Sequence, residues 1–161
     1  MNPNAGWLGL GLPRIGAICA VALAAACSDE GPSTPLDDLE TAERLWSAVG
    51  PTSYVYAIER LCFCGESARG PVRLTVVEGT VSARTYVESG APVEGIAADW
   101  FPEVEGLFGV GRVALSEGAA TVRVTYDPVN GVPVDIWIDY SETIIDEELG
   151  FIVTEAVTQT S

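Results

Sequence analysis

The sequence has no histidine and no lysine, and its one methionine is the first residue. Without histidine, Ser-His-Asp and Cys-His catalysis are excluded, along with the commonest proton shuttle near neutral pH. Zinc is disfavoured too, because it takes four nitrogen, sulfur or oxygen ligands and only two cysteines, Cys62 and Cys64, lie beyond the first 27 residues. Two-coordinate Cu(I) is chemically allowed at a pair of thiolates, but no methionine lies nearby in the chain to support it. Without lysine, 8 arginines face 23 acidic residues, for a formal charge of −15. That field disfavours nucleic acid, whose phosphates need cationic partners. Its ordinary consequence is solubility. The acidic stretches "DPVNG" (127–131) and "DEE" (146–148) lack the Asp-x-Asp-x-Asp-Gly spacing of a calcium loop and read as turns. No phosphate loop or metalloprotease motif occurs, so no metal, cofactor or enzymatic activity is expected. Sequence does not show carboxylate separations, so paired-carboxylate chemistry stays open.

A composition of 48% apolar residues over 161 positions suits one folded domain. Part of that fraction is N-terminal. After Arg14, "IGAICAVALAAAC" (15–27) carries no charge. The stretch before Cys27 spans about 18 Å as a helix against a hydrocarbon core of ~30 Å. That is short for a membrane span and suits a signal peptide. "LAAAC" (23–27) resembles the lipobox of bacterial lipoproteins, in which the cysteine becomes the first mature residue and carries acyl chains; Ala24 stands where leucine is usual. The expectation is a signal peptide over 1–26, a lipidated Cys27, a flexible linker over 27–34 and one domain over 35–161. The protein would then sit in the cell envelope, anchored to membrane by its lipid, and on the periplasmic side of the outer membrane in a cell with two membranes. The rival is ordinary cleavage after "AAA" (24–26), which leaves Cys27 a free thiol.

The domain opens with "TPLDDLETAERLWSAVG" (34–50). Thr34 can cap, Pro35 fits the first helical position, and Leu36, Leu39, Ala42, Trp46 and Val49 form an apolar stripe. Alternation then predicts strands at "SYVYAIERLCF" (53–63), "PVRLTVV" (71–77) and "TVSARTYV" (80–87), the last two joined by a hairpin at Glu78-Gly79. A second helix is predicted over 103–115, weakened by Gly106, Gly109 and Gly111. "ATVRVTYD" and "VPVDIWIDY" form a hairpin around Asn130-Gly131, and "GFIVTEAV" (150–157) closes the sheet. The fold class is α+β: an antiparallel sheet of about six strands with two helices packed on one face, in the order α-β-β-β-α-β-β-β. That order suggests two copies of one unit.

Period-2 sorting assigns the faces. Val55, Ala57, Leu61 and Phe63 are taken as inward, with Val72, Leu74, Val76, Val81, Ala83, Val122, Val124, Tyr126, Ile136 and Ile138. The open face then holds Tyr54, Tyr56, Arg60, Arg73, Arg84, Arg123 and Trp137, with Cys62 and Cys64 at one end. Such a face is ordinarily a solvated surface with cross-strand ion pairs. Alternatively, its aromatic and arginine content suits a binding surface for a protein or small-molecule partner.

In this setting "YVYAIERLCFCG", "GPVRLTVVEGTV", "FPEVEGLF", "VTYDPVNGVPVDIWID" and "DEELGFIVTEAV" occur in one order. The chain thereby resembles the bacterial family catalogued as domain of unknown function 6174. The resemblance implies a secreted or lipid-anchored envelope protein and supplies no reaction and no catalytic residues. One departure is Glu103, where the family usually has a threonine able to cap the second helix.

With Cys19 removed and Cys27 acylated, Cys62 and Cys64 have only each other. In a straight strand their Cα atoms would lie ~6.6 Å apart, at the far limit for a disulfide, so a bond needs a bend. A loop this small gains only ~1.6 kcal/mol from chain entropy. The pair is therefore either a local lock or a reducible couple. The leading expectation is a non-enzymatic binding or structural module; the alternative is a thiol–disulfide redox protein using Cys62 and Cys64, with Arg60 favouring thiolate.

Overall fold

In the computed structural model, residues 32–160 are described. Cys27 and the expected signal peptide lie outside the described residues. Helix α1 runs Pro35–Val49, and Thr34 closes its first turn as a capping box: its Oγ1 accepts from the Asp37 N–H at 3.2 Å while Asp37 Oδ2 accepts from the Thr34 N–H at 2.9 Å. These hydrogen bonds hold the Asp37 carboxyl below its ordinary pKa. Leu39, Ala42 and Trp46 are buried, while Leu36 and Val49, at the two ends of the predicted stripe, stay exposed.

Six strands follow in one antiparallel sheet: β1 Tyr54–Leu61, β2 Val72–Val77, β3 Thr80–Tyr86, β4 Thr121–Tyr126, β5 Pro133–Asp139 and β6 Leu149–Gln159. A one-turn helix α2, Glu66–Arg69, interrupts the first three strands, and a 3-10 helix, Gly95–Trp100, precedes the second long helix, α3, Val104–Glu117. The expected α+β class and element order hold. Helices α1 and α3 pack on one face, and their buried residues join Tyr54, Tyr56, Ile58, Leu74, Ile136, Ile138 and Phe151 in one core.

The strand order is β3-β2-β1-β6-β5-β4. This corrects the idea of two copies of one unit. Following α1, the first strand is central and the third is at the edge; following α3, the first strand is at the edge and the third is central. A shifted copy would make β1 and β6 parallel, and a copy turned about the sheet normal would place β4 beside β1; the observed β1–β6 pair is antiparallel.

The edges differ as well. Along β3, a bulge at Ser82 interrupts the ladder, and the chain returns to bond its outer side: the Tyr86 N–H donates to Ala91 O at 2.9 Å and the Val93 N–H to Arg84 O at 2.9 Å. Strand β4 pairs only with β5 among the described residues.

Face assignment holds on one side of the sheet and fails on the other. Val122, Val124, Tyr126, Ile136 and Ile138 face the helices as expected, with Arg123 and Trp137 opposite each other on the open face. In β1 the phase is reversed. Tyr54, Tyr56 and Ile58 pair with Val76, Leu74 and Val72 and are wholly buried, and Val55, Ala57 and Leu61 point to the open face. In β3 the bulge at Ser82 moves every later residue by one. Val81 stays with the core, Ala83 turns outward, and Arg84 and Tyr86 turn to the helix side.

The tyrosine burial has a polar counterpart. Glu103, the N-cap of α3, makes no side-chain capping bond. The Tyr54 hydroxyl supplies it from β1, accepting from the Val104 N–H at 3.2 Å and donating to Glu105 Oε2 at 3.0 Å. Glu105 Oε1 accepts from Trp46 Nε1 at 2.9 Å, so one carboxylate ties α1, β1 and the start of α3. The Tyr56 hydroxyl donates to Pro102 O. Burial raises both phenols above their ordinary pKa.

Candidate functional site

The site lies where β1 ends. Regular pairing stops at Leu61, opposite Gly150, and the chain bends through "CFC" into α2. Cys62 and Cys64 are joined by a disulfide with Cα atoms 5.3 Å apart. The bend anticipated from strand geometry is a tight turn, closed a second time by the Cys64 N–H donating to Cys62 O at 2.9 Å. Because both flanking side chains are tied to each other, the middle one projects away from the ring. Phe63, expected to face inward, is 82% exposed.

Arg60 sits two residues before the ring. It follows Tyr54, Tyr56 and Ile58 on the helix side, opposite Phe151, rather than lying on the open face. Its guanidinium carbon lies 5.7 Å from the centroid of the Trp100 ring, and Nη1 lies 3.3 Å from Cys62 Sγ and 4.0 Å from Cys64 Sγ. Partial burial lowers the Arg60 pKa, although a guanidinium remains charged at any working pH.

On the open side of the same strand end is a cleft of about 360 Å³, lined by Leu61, Cys62, Phe63, Trp137, Arg69 and the carboxylates Glu59, Asp146 and Glu148. Gly150 makes it possible. It lies between Leu61 and Trp137 in the register, and a Cβ there would meet Ile136 O at 2.6 Å and Leu61 at 3.3 Å. Leu61 occupies that space instead, and Trp137 stands beyond it.

The seven residues expected on one open face are therefore split. Arg73, Arg123 and Trp137 are there, and only Trp137 reaches the cleft. Arg73 forms a two-bonded ion pair with Glu155 across Ala57, which is buried beneath it. That is the cross-strand pairing an ordinary solvated face would show. Tyr54 and Tyr56 are 0% exposed and belong to the core, so neither can touch a partner. Arg84 turns inward at the bulge, and its Nε donates to Phe101 O at 2.7 Å. Arg60 is drawn to Trp100 and the sulfurs. Phe63, Trp100, Arg69 and Gly150 were not among the expected site residues. A closed C-x-C ring forces its middle residue outward, a signal that would have overturned the inward reading of Phe63; no pattern marks Trp100.

The turn in "DPVNG" explains itself locally. Asp127 Oδ1 accepts from the Val129 N–H at 2.8 Å and Asn130 Oδ1 from the Val132 N–H at 3.0 Å, so these side chains build the loop.

A family model described as a family of unknown function (DUF6174) matches residues 38–158. No curated protein and no solved structure matches the chain.

Proposed function

The chain belongs to the family of unknown function DUF6174, and from that premise we propose that it is a lipid-anchored cell-envelope protein that binds a partner, without turnover, at the cleft beside Phe63. One observation carries the binding reading: a ring-closed turn holds Phe63 82% exposed at the mouth of a cleft that also presents Trp137. A lone exposed aromatic is unremarkable, but one fixed beside a second aromatic and a concavity is what interfaces favour. The three carboxylates against one arginine suit an apolar group bearing positive charge. Anchoring rests on "LAAAC" and the polar linker after it, and it sets the location at a membrane surface of the envelope.

The binding reading is tested by placing a photocrosslinking residue at position 63 in cells, and another at Thr75 on the open face away from the cleft. A discrete adduct at 63 that disappears with Trp137→Ala supports it. Equal yields at 63 and 75, or an adduct indifferent to Trp137→Ala, overturns it. Anchoring is tested separately: Cys27→Ser moves the protein from the membrane to the soluble fraction, and the intact mass of membrane-purified protein carries the acyl chains.

A further inference from the structure

Arg60 has an unusual set of neighbours for an arginine in so acidic a protein. With 23 acidic residues in the chain, the ion pairs among the described residues are Arg73–Glu155 and Arg112–Glu43, and Arg60 joins neither. Its guanidinium is instead stacked over Trp100 and aimed at both sulfurs of the Cys62–Cys64 bridge. A disulfide sulfur is a weak acceptor and gains little from such a donor. A thiolate gains a great deal, because a charge-assisted hydrogen bond from a partly desolvated cation favours the ionised form. The bridge itself constrains only a three-residue loop, so it adds little as a staple. Both cysteines are half-buried rather than sealed, and Cys62 lines the cleft.

We infer that Cys62–Cys64 is a thiol–disulfide exchange site, in which Cys62 is the thiolate stabilised by Arg60 and the co-reactant is a dithiol or its disulfide. In the reducing direction, a thiolate of the dithiol attacks Cys64 Sγ. The S–S bond breaks and its electron pair leaves on Cys62 Sγ, 3.3 Å from Arg60 Nη1. The second thiol of the partner, after losing its proton, attacks its own sulfur in the mixed disulfide and releases Cys64. The partner departs as a disulfide. Its two electrons reside on the two cysteines; one of its protons ends on Cys64, the other in solvent. In reverse, Cys64, having lost its proton to solvent, attacks a partner disulfide, and the Cys62 thiolate then attacks Cys64 Sγ, re-forming the bridge and releasing the partner as a dithiol. No base from this chain is required, since the attacking group is already a thiolate. This site does not depend on lipid anchoring or on a ligand in the cleft.

Several charges surround Cys62. Arg60, near the end of β1, and Arg69, from α2, favour the thiolate. Glu59, and Asp146 and Glu148 from the loop before β6, oppose it across the cleft. Arg60 prevails because it alone has an atom within hydrogen-bonding distance of the sulfur.

The test is alkylation of the purified, dithiothreitol-reduced protein by iodoacetamide from pH 5 to 10, with each cysteine followed by mass spectrometry. The expected result is a midpoint for Cys62 at least about one pH unit below that of Cys64. A one-unit difference gives about tenfold more thiolate and, after the loss in intrinsic nucleophilicity, about threefold faster reaction below both midpoints. Arg60→Gln brings the two midpoints together. Oxidised glutathione then forms a mixed disulfide faster on Cys62 in Cys64→Ser than on Cys64 in Cys62→Ser. Both cysteines titrating together near the ordinary thiol range in the wild type, or a midpoint unmoved by Arg60→Gln, overturns the proposal. The wild-type measurement alone decides if a variant fails to fold.

Discussion

Tyr54 completes the first turn of a helix that begins 50 residues later: its hydroxyl accepts the Val104 N–H at 3.2 Å. An ordinary cap comes from the residue just before the helix. Here Glu103 makes no such bond, and the central strand of the sheet supplies the oxygen. Helix α3 is thereby fixed in position and in register against β1.

Tyr54→Phe removes that acceptor and leaves a buried N–H unpaired. The expected loss is ~1–3 kcal/mol, read as a lower urea midpoint with an unchanged slope. Glu105→Gln keeps an acceptor for one of its two donors, Trp46 Nε1 or the Tyr54 hydroxyl, and costs less.

Burial also sets an alkaline limit. It raises the phenols of Tyr54 and Tyr56 and pushes Tyr126 up to about 12. In the unfolded chain tyrosine ionises near pH ~10. Above that pH the unfolded state sheds protons that the folded state keeps, so stability falls as pH rises. Below it the contribution is fully present. Urea midpoints are expected to stay level from these groups up to about pH 9 and to drop between about pH 10 and 12. Tyr56→Phe starts lower, having lost its bond to Pro102 O, and declines less steeply.

Two glycines separate steric need from helix weakness. At Gly131, with φ +81°, a Cβ would come 2.2 Å from Ala42 O, so Gly131→Ala is expected to cost ~1–3 kcal/mol. At Gly109, within α3, a Cβ meets nothing within 4 Å. Gly109→Ala should add ~0.5–1 kcal/mol. Thermal melts of the two variants should move in opposite directions from wild type.

Phe63→Ser distinguishes a recognition element from a packing one. A side chain 82% exposed contributes little to the fold, so the melting temperature should hardly change, with stability within ~0.5 kcal/mol of wild type. Photocrosslinking from a second position in the cleft, such as Glu59, should nevertheless fall. A large drop in stability would instead place Phe63 among the packing residues.

The elements were legible in the sequence because their signals are local: Thr34-Pro35 starts α1, Gly50 ends it, and the strands alternate. The faces of β1 were not. In "YVYAIERL" both alternating sets are largely apolar, so periodicity has two solutions. The choice falls to tyrosine because its ring suits the core and its hydroxyl finds a partner at α3, a contact that spacing does not reveal. In β3 one bulged residue, Ser82, reverses Arg84 and Tyr86. The site was half legible. Cys62, Cys64 and Arg60 are close in sequence, whereas Trp100 and Gly150 join them only through the chain's long-range path, in which β6 rather than β4 takes the central place.

The unequal edges of the sheet limit how copies of this protein can join. Strand β3 is bulged and partly bonded by residues 91–93, while β4 has no second neighbour among the described residues. Among the described residues, growth by strand addition therefore has a single docking rail. Two copies meeting β4 to β4 would consume both rails and close a twofold pair, leaving no template for a third. Such contacts would end in dimers instead of propagating into fibres.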